Sequence, residues 1–312
     1  MTAKEKQKSS AYYVIKSFFT LGIFFYFAIF ISDDIAKAAH DGLMVSINVI
    51  IPTAFPFMIF SDLASHYFEF EKSSLISSAF EKLFKINRVG LCAFFSGIAG
   101  GFPIGAKCAL NLYNDGKISK CECERLMCFS NVASPAYVIS AVGVSILKSF
   151  KAGLLLYSSL VFSGILCGYF IGIKKNFYKN TAFNNKQNFN VVASIKSSAT
   201  GSLNIIFFIS FFSALSALIK KFITRPTVHA LILPFLEVSN AVIFFSDFYI
   251  FPFKINLAVI AFSLSFSGLS VIMQSLSFTG GEDISIKKCI TYKLLQGTLS
   301  FIIILLIPIS IT

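Results

Sequence analysis

The sequence predicts an all-α, polytopic membrane protein made of two inverted repeats, with a re-entrant hairpin and broken helices. Three observations carry that prediction. Hydrophobic residues make up 55% of the 312, aromatic residues 16% and charged residues 13%, and the mean hydropathy is +0.76, far from the values of a soluble domain. Runs without charge that approach the roughly 20 residues of a bilayer crossing recur at Ser17–Ser32, Gly42–Ser61, Val89–Ala106, Leu126–Leu147, Ala152–Ile173, Ser197–Ile219, Ile255–Gly281 and Leu294–Thr312, and a less pure segment, Val228–Phe253, is interrupted by Glu237 and Asp247. The stretch from Ser96 to Lys107, SGIAGGFPIGAK, puts glycines, a proline and a lysine where a spanning helix is expected. Broken backbone at membrane depth survives only where protein buries it or a watery cavity solvates it, so this stretch points to a site.

Residues 1–34 read as a cytoplasmic tail and a first transmembrane helix, because Lys4, Lys6, Lys8 and Lys16 precede the first apolar run and basic residues are retained inside. A cleaved signal peptide ending at Ala36-Lys37-Ala38 is the alternative. Against it, the apolar run is longer than a usual signal core, and Asp33-Asp34 and further apolar runs follow.

Residues 35–173 form the first repeat. Leu75, Ile76, Ala79, Phe80, Leu83 and Phe84 have helical spacing with Lys82 and Lys85 on another face, as in an interfacial amphipathic helix. The segment 174–196 carries Lys174, Lys175, Lys179, Lys186 and Lys196 without an acidic residue and reads as a flexible cytoplasmic linker. Two cytoplasmic markers require an even number of crossings between them, yet five apolar runs lie there. The glycine-rich run is therefore expected to enter and leave on one side, as a hairpin over about 89–113 with its tip near Gly101-Phe102-Pro103. Lys72, Lys82, Lys85 and Arg88 before it and Lys117, Lys120 and Arg125 after it agree. In the alternative, Val89–Ala106 spans and Lys107 snorkels to the interface.

Residues 197–312 form the second repeat. Asp41-Gly42-Leu43 resembles Thr200-Gly201-Ser202-Leu203, and Phe95-Ser96-Gly97 resembles Phe266-Ser267-Gly268. If the first repeat starts outside and the second inside, the two are inverted. Lys220, Lys221 and Arg225 then fall on the outer side, against the charge rule. Gly164, Gly168 and Gly172 make a small-residue stripe for close helix packing, and Gly97, Gly101 and Gly105 share its spacing.

The net charge of +12 reports loop charge in a membrane protein rather than nucleic-acid binding. The seven cysteines mostly lie in or beside apolar runs, and Cys121, Cys123 and Cys128 lack zinc spacing and a nearby histidine. His40, His66 and His229 make no H-E-x-x-H helix. Asp33-Asp34 sits at a span end, and Ser96-Gly97 and Ser267-Gly268 lack a base within their own segments. Neither an enzyme nor a metal nor a cofactor is expected, and no ATP-binding loop is present. The partners expected are the bilayer and a small molecule, with self-association left open. A structural or assembly protein of the membrane, in which the glycine breaks serve packing alone, competes with a transporter.

The run Ser96–Lys107, followed by Leu112-Tyr113, Gly116-Lys117-Ile118-Ser119, Glu124-Arg125-Leu126, Asn131 and Ser134-Pro135, closely resembles the sporulation integral membrane protein YlbJ family, which carries nucleoside-recognition Gate domains. The resemblance covers most of the chain from about Asp34 to Thr312. In the second half, Glu237-Val238-Ser239-Asn240 and the stretch from Ser267 to Gln274, SGLSVIMQ, look like the family's acidic and Gly/Ser/Gln motifs, although Ala241 stands where glycine is expected. The resemblance implies two Gate-like repeats, a permease in the outer forespore membrane, and dipicolinic acid as cargo. A nucleoside-like substrate is the alternative.

Dipicolinate is a flat aromatic dianion, so its site needs cations or N–H donors, an apolar slot and exclusion of water. The candidate substrate-binding residues are Gly100, Gly101, Phe102, Pro103, Gly105, Lys107, Asn131, Ser134, Pro135, Glu237, Asn240, Ser267, Gly268, Ser270 and Gln274. Half-helices starting after Pro103 and near Ser134-Pro135 would aim free N–H groups at carboxylates, with Phe102 and Tyr137 facing the ring. Lys107 is expected to pair with Glu237 in the empty state, and a dianionic cargo would displace the glutamate.

Overall fold

A computed structural model describes residues 22, 33–67, 75–173, 190–223, 225–247, 251–279 and 284–308. The first apolar run, Ser17–Ser32, and most of the basic linker lie outside these residues. Every element among them is helical. In chain order they are α1 (Asp33–Val45), a π-helical segment (Ser46–Ile50), α2 (Ile51–Tyr67), α3 (Leu75–Phe84), α4 (Gly90–Gly100), α5 (Ile104–Asn114), α6 (Lys120–Phe129), the π-helical α7 (Ala136–Ile146), α8 (Phe150–Gly172), α9 (Val191–Phe222), α10 (Pro226–Leu236), α11 (Val238–Asp247), α12 (Phe253–Phe266), α13 (Gly268–Ser277) and α14 (Ile286–Leu306).

Among the described residues four helical stretches are long and apolar enough to cross a membrane: α8, α9, α12 with α13, and α14. A fifth is counted if the α1–α2 run, bent by 55°, is one span. The run Gly42–Ser61 is thus not the straight crossing its composition suggests. The bend follows the π-helical turn at Ser46–Ile50, and Pro52 and Pro56 in α2 each remove a backbone donor.

The glycine-rich stretch folds as a helical hairpin. Cys92 lies beside Cys108 and Gly97 beside Gly105, so partners fall in number on one arm as they rise on the other. The arms α4 and α5 hold 11 residues each, about 16 Å at about 1.5 Å per residue, which is half the ~30 Å hydrocarbon layer. Gly101, at φ 85°, makes the tip in a conformation that favours glycine. A second hairpin, not read from the sequence, is built by α10 and α11 around Glu237. There the His229 and Phe244 rings meet edge to face, centroids 5.9 Å apart, on facing arms.

Each hairpin is followed by two helices with a break between them. The α6–α7 run lies antiparallel along α8: Gly164 and Gly168 stand against Phe129, and Gly153 stands against Gly143. Between α6 and α7 the backbone is non-helical from Ser130 to Ser134. The α12–α13 run breaks at Ser267 and Gly268, both at positive φ. Among the described residues, a helical run (bent in the first half), a hairpin, an interrupted pair of helices and a long helix thus follow one another in both halves. One sequence pairing does not fit it: Phe95-Ser96-Gly97 lies inside the unbroken α4, whereas Ser267-Gly268 is a break, because Gly97 serves close packing and Gly268 the turn.

The glycine stripe of α8 works as expected, with Gly168 against the Phe84 ring and Gly172 against the Phe84 carbonyl. In α3 the Phe80 and Phe84 side chains are buried while Leu75 and Ile76 are exposed, leaving an apolar face for the interface. Lys221 and Asp34 approach to 3.9 Å, so the basic end of α9 shares a side with the acidic start of α1.

Candidate functional site

The two hairpin tips and the two breaks meet. A Cβ on Gly101 would stand 2.6 Å from the Ser134 backbone nitrogen, and one on Gly268 would stand 3.0 Å from the Leu236 carbonyl oxygen. Each tip is thereby held against the break that follows it in sequence. Glycine is required at Gly97 for a related reason, since a Cβ there would lie 1.8 Å from the Ser130 carbonyl oxygen.

Between the tips lies a cavity of about 60 Å³ lined by Val49, Ile50, Ala54, Gly100, Phe102, Ser134, Ala136, Tyr137, Ile209, Glu237, Val238, Ser239 and Val271. The first turns of α7, α11 and α13 contribute to its wall, and Phe102 sits just before α5. Helix N-termini carry N–H groups without an intrahelical partner and partial positive charge; at the α7 start the Tyr137 N–H donates to Ser134 Oγ at 3.2 Å. One of these termini is already occupied by a carboxylate. Glu237 Oε2 accepts from the Asn240 backbone N–H at 2.8 Å, and Glu237 is 2% exposed. Across the cavity the Tyr137 hydroxyl donates to Ser239 Oγ at 3.1 Å, joining α7 to α11.

Of the residues singled out from the sequence, Gly100, Phe102, Ser134 and Glu237 line this cavity, and so does Tyr137. Pro103 and Pro135 precede the half-helices α5 and α7. Gly105 packs against the Ser130 carbonyl and Gly97. Ser267 and Gly268 form the second break, with the Ser267 hydroxyl turned back to the Leu264 and Ser265 carbonyls at the end of α12. Ser270 and Gln274 hydrogen-bond each other at 3.1 Å, and Asn240 donates to Ser213 of α9 at 3.3 Å.

Lys107 departs from expectation. Its ammonium donates to Asp62 Oδ2 at 2.9 Å and to Ser198 Oγ at 3.2 Å, so its ion-pair partner is Asp62 and not Glu237. The reason is direction: α5 leads away from the tip, and one turn along it Lys107 faces α2 and α9. Asp62 also accepts from Asn111 Nδ2 at 2.9 Å and Ser194 Oγ at 2.7 Å, so the buried pair is well surrounded by hydrogen bonds, as a buried charge must be.

Asn131 lies behind the cavity, in the first break, and donates to Ser275 Oγ of α13 at 2.8 Å. Its carbonyl accepts from Lys293 Nζ of α14 at 2.7 Å, and Lys293 also donates to Gln296 Oε1 at 2.9 Å. Asp62, Ser239, Lys293 and Gln296 were not read from the sequence as site residues. A charged residue one position before an apolar run is the only signal Lys293 gave, and α14 starts well before that run.

On the side where α3 ends and α6 and α14 begin, Glu124 takes Lys288 at 2.6 Å and Glu122 accepts the Asn87 backbone N–H at 2.7 Å. Arg125 donates to the Phe84 and Lys85 carbonyls. These bonds tie α3, the hairpin base, α6 and α14 into one basic face.

No family model and no solved structure matches the chain. Among curated proteins, the sporulation integral membrane protein YlbJ of Bacillus subtilis (strain 168) is 29% identical over 133 residues. The match spans 42% of this chain and 33% of that relative's length. The chain is an integral membrane protein of several apolar helices, similar to a sporulation integral membrane protein.

Proposed function

We propose that this chain is a permease of two inverted Gate-like repeats, which moves a small aromatic carboxylate, dipicolinate, across the outer forespore membrane during sporulation. The observation that carries the reading is the cavity at which both hairpin tips and both breaks converge, with a carboxylate, that of Glu237, seated on a half-helix N-terminus. A seat that already holds one carboxylate has the donors to hold another. The cargo would displace Glu237 from the start of α11, and Phe102, Tyr137 and Val271 would flank its ring.

Inversion is supported by direction. Gly42 meets Ser213 while Asp62 meets Ser194, so the α1–α2 run is antiparallel to α9. Ser159 meets Ser300 while Cys167 meets the Tyr292 carbonyl, so α8 is antiparallel to α14. Corresponding elements of inverted repeats must run oppositely, and substrate sites of such transporters lie where the repeats meet. The basic face would be cytoplasmic, with the N-terminus on that side. A cavity of about 60 Å³ has room for a few waters but not for a pyridine dicarboxylate, so this state is closed and cargo binding must part the tips. Carriage of the cargo requires no catalytic residue, metal or cofactor.

A nucleoside-like cargo is the second reading. It is favoured by the presence of Glu237, Tyr137 and Ser239 in a cavity that Lys107 does not reach, because a carboxylate and hydroxyls suit neutral ribose groups. The test is dipicolinate content in spores of the host lacking this protein, complemented with the wild type or with an equally expressed Glu237→Gln variant, alongside uptake of labelled dipicolinate and uridine by proteoliposomes. Low content in the null, restored by wild type and reduced in the variant, is expected. Normal content in the null together with uridine uptake would replace dipicolinate by a nucleoside. Normal content and no uptake of either would leave a scaffold.

A further inference from the structure

Three basic side chains are buried among the described residues: Lys107, Arg125 and Lys293. Lys107 is neutralised by Asp62. Arg125 lies in the basic face, on the same helix as Glu122 and Glu124. Lys293, 2% exposed, donates only to neutral oxygens, those of Asn131 and Gln296, and the thiols of Cys128, Cys167 and Cys289 stand around it. Among the described residues it has no carboxylate partner. An ammonium in a span interior is costly, so such a charge, left without a counter-charge in the closed state, is matched to one that arrives later.

Its position favours the cavity as the place of arrival. Lys293 holds the carbonyl of Asn131 at 2.7 Å, and Ser134, three residues on, lines the cavity. Three residues of chain reach about 10 Å at most. The Lys293 ammonium therefore lies within about 13 Å of Ser134 and the cavity, on the stretch of chain that leads to the α7 N-terminus. Two buried polar atoms beside it, Asn131 Oδ1 and Gln296 Nε2, have no hydrogen-bond partner; a polar cluster left incomplete in this way is not optimised for stability alone.

We infer that Lys293 is the specificity-determining cation of the transport site: it supplies, through the Asn131–Ser134 wall, the counter-charge that selects an anionic carboxylate cargo over a neutral one of the same shape. The inference rests on the permease reading and assigns to Lys293 the role that sequence alone suggested for Lys107. Lys293 does not touch the cargo. It acts by field, and a unit charge about 13 Å away, at an effective dielectric of about 20, changes the binding of an anion roughly tenfold.

Purified protein in proteoliposomes, with dipicolinate and its neutral isostere pyridine-2,6-dicarboxamide as probes, tests this. Lys293→Gln keeps a hydrogen-bond donor and removes the charge, whereas Lys293→Arg keeps the charge. The expected result for Lys293→Gln is a KM for dipicolinate raised about tenfold with kcat retained, no change toward the dicarboxamide, and recovery in Lys293→Arg. Equal loss for both probes, or a fall in kcat alone, would make Lys293 a structural residue and overturn the inference. Wild-type kinetics in Lys293→Gln would overturn it too while leaving the permease standing. Failure of the wild type to carry dipicolinate would instead sink the dipicolinate reading, and the role of Lys293 with it. Should Lys293→Gln fail to fold, Lys293→Arg carries the test: it keeps the charge, so a retained preference for dipicolinate over the dicarboxamide is expected, and loss of that preference in a folded Lys293→Arg protein would overturn the assignment.

Discussion

Lys107 and Asp62 show how much one side chain's direction matters. Removing one member of a buried ion pair strands the other charge, at a cost of about 3–5 kcal/mol. Lys107→Met should therefore lower the melting temperature of the detergent-solubilised protein sharply, and adding Asp62→Leu should recover most of the loss. A double variant no better than the single one would show that the pair is not the source of the cost. Gly97 makes a second residue-scale case. With the Ser130 carbonyl oxygen 1.8 Å from where its Cβ would stand, Gly97→Ala should cost about 3 kcal/mol and reduce accumulation in membranes, because two backbones must separate. The glycine motif was legible because glycine has no substitute at such a contact. Lys107's partner was not, since Asp62 lies 45 residues away in sequence and nothing in an apolar run says which helix will face it.

At the scale of elements, short half-helices separate the hairpins from true spans. Both ends of the α4–α5 hairpin should lie on one side of the membrane. Cysteines placed at Arg88 and Asp115 in a cysteine-free background should react with a membrane-impermeant maleimide from the same side; reaction from opposite sides would convert the hairpin into a span. The parity of basic loops, together with Gly101 and Pro103, made this hairpin readable. The second hairpin left a weaker trace because its tip has neither glycine nor proline: Glu237 turns the chain from an extended conformation, φ −145° and ψ 128°, and then caps α11 with its own carboxylate. The amphipathic α3 was legible for the opposite reason, since its spacing is set by one face alone.

For the whole molecule, the antiparallel pairing of the α1–α2 run with α9 and of α8 with α14 makes a sided prediction. Cysteines at Asp34, Lys148, Lys221 and Lys254 should label from one face, and cysteines at Lys82, Lys120 and Lys287 from the other. A mixed pattern would break the inverted arrangement. The Lys221–Asp34 approach also puts one acidic neighbour beside the basic end of α9, where charge counting alone placed those residues on the wrong side.

Composition, charge-free length and the glycine-proline interruption by themselves determined that the chain is helical, lies in the membrane and breaks its helices, because each of these is dictated by the hydrocarbon layer acting on local sequence. Tertiary structure alone decided which residues meet there. It sent Lys107 to Asp62, seated Glu237 on a helix start and set Lys293 on the Asn131 carbonyl, because the facing of a side chain depends on helix rotation and packing between segments far apart in sequence, which no local pattern encodes.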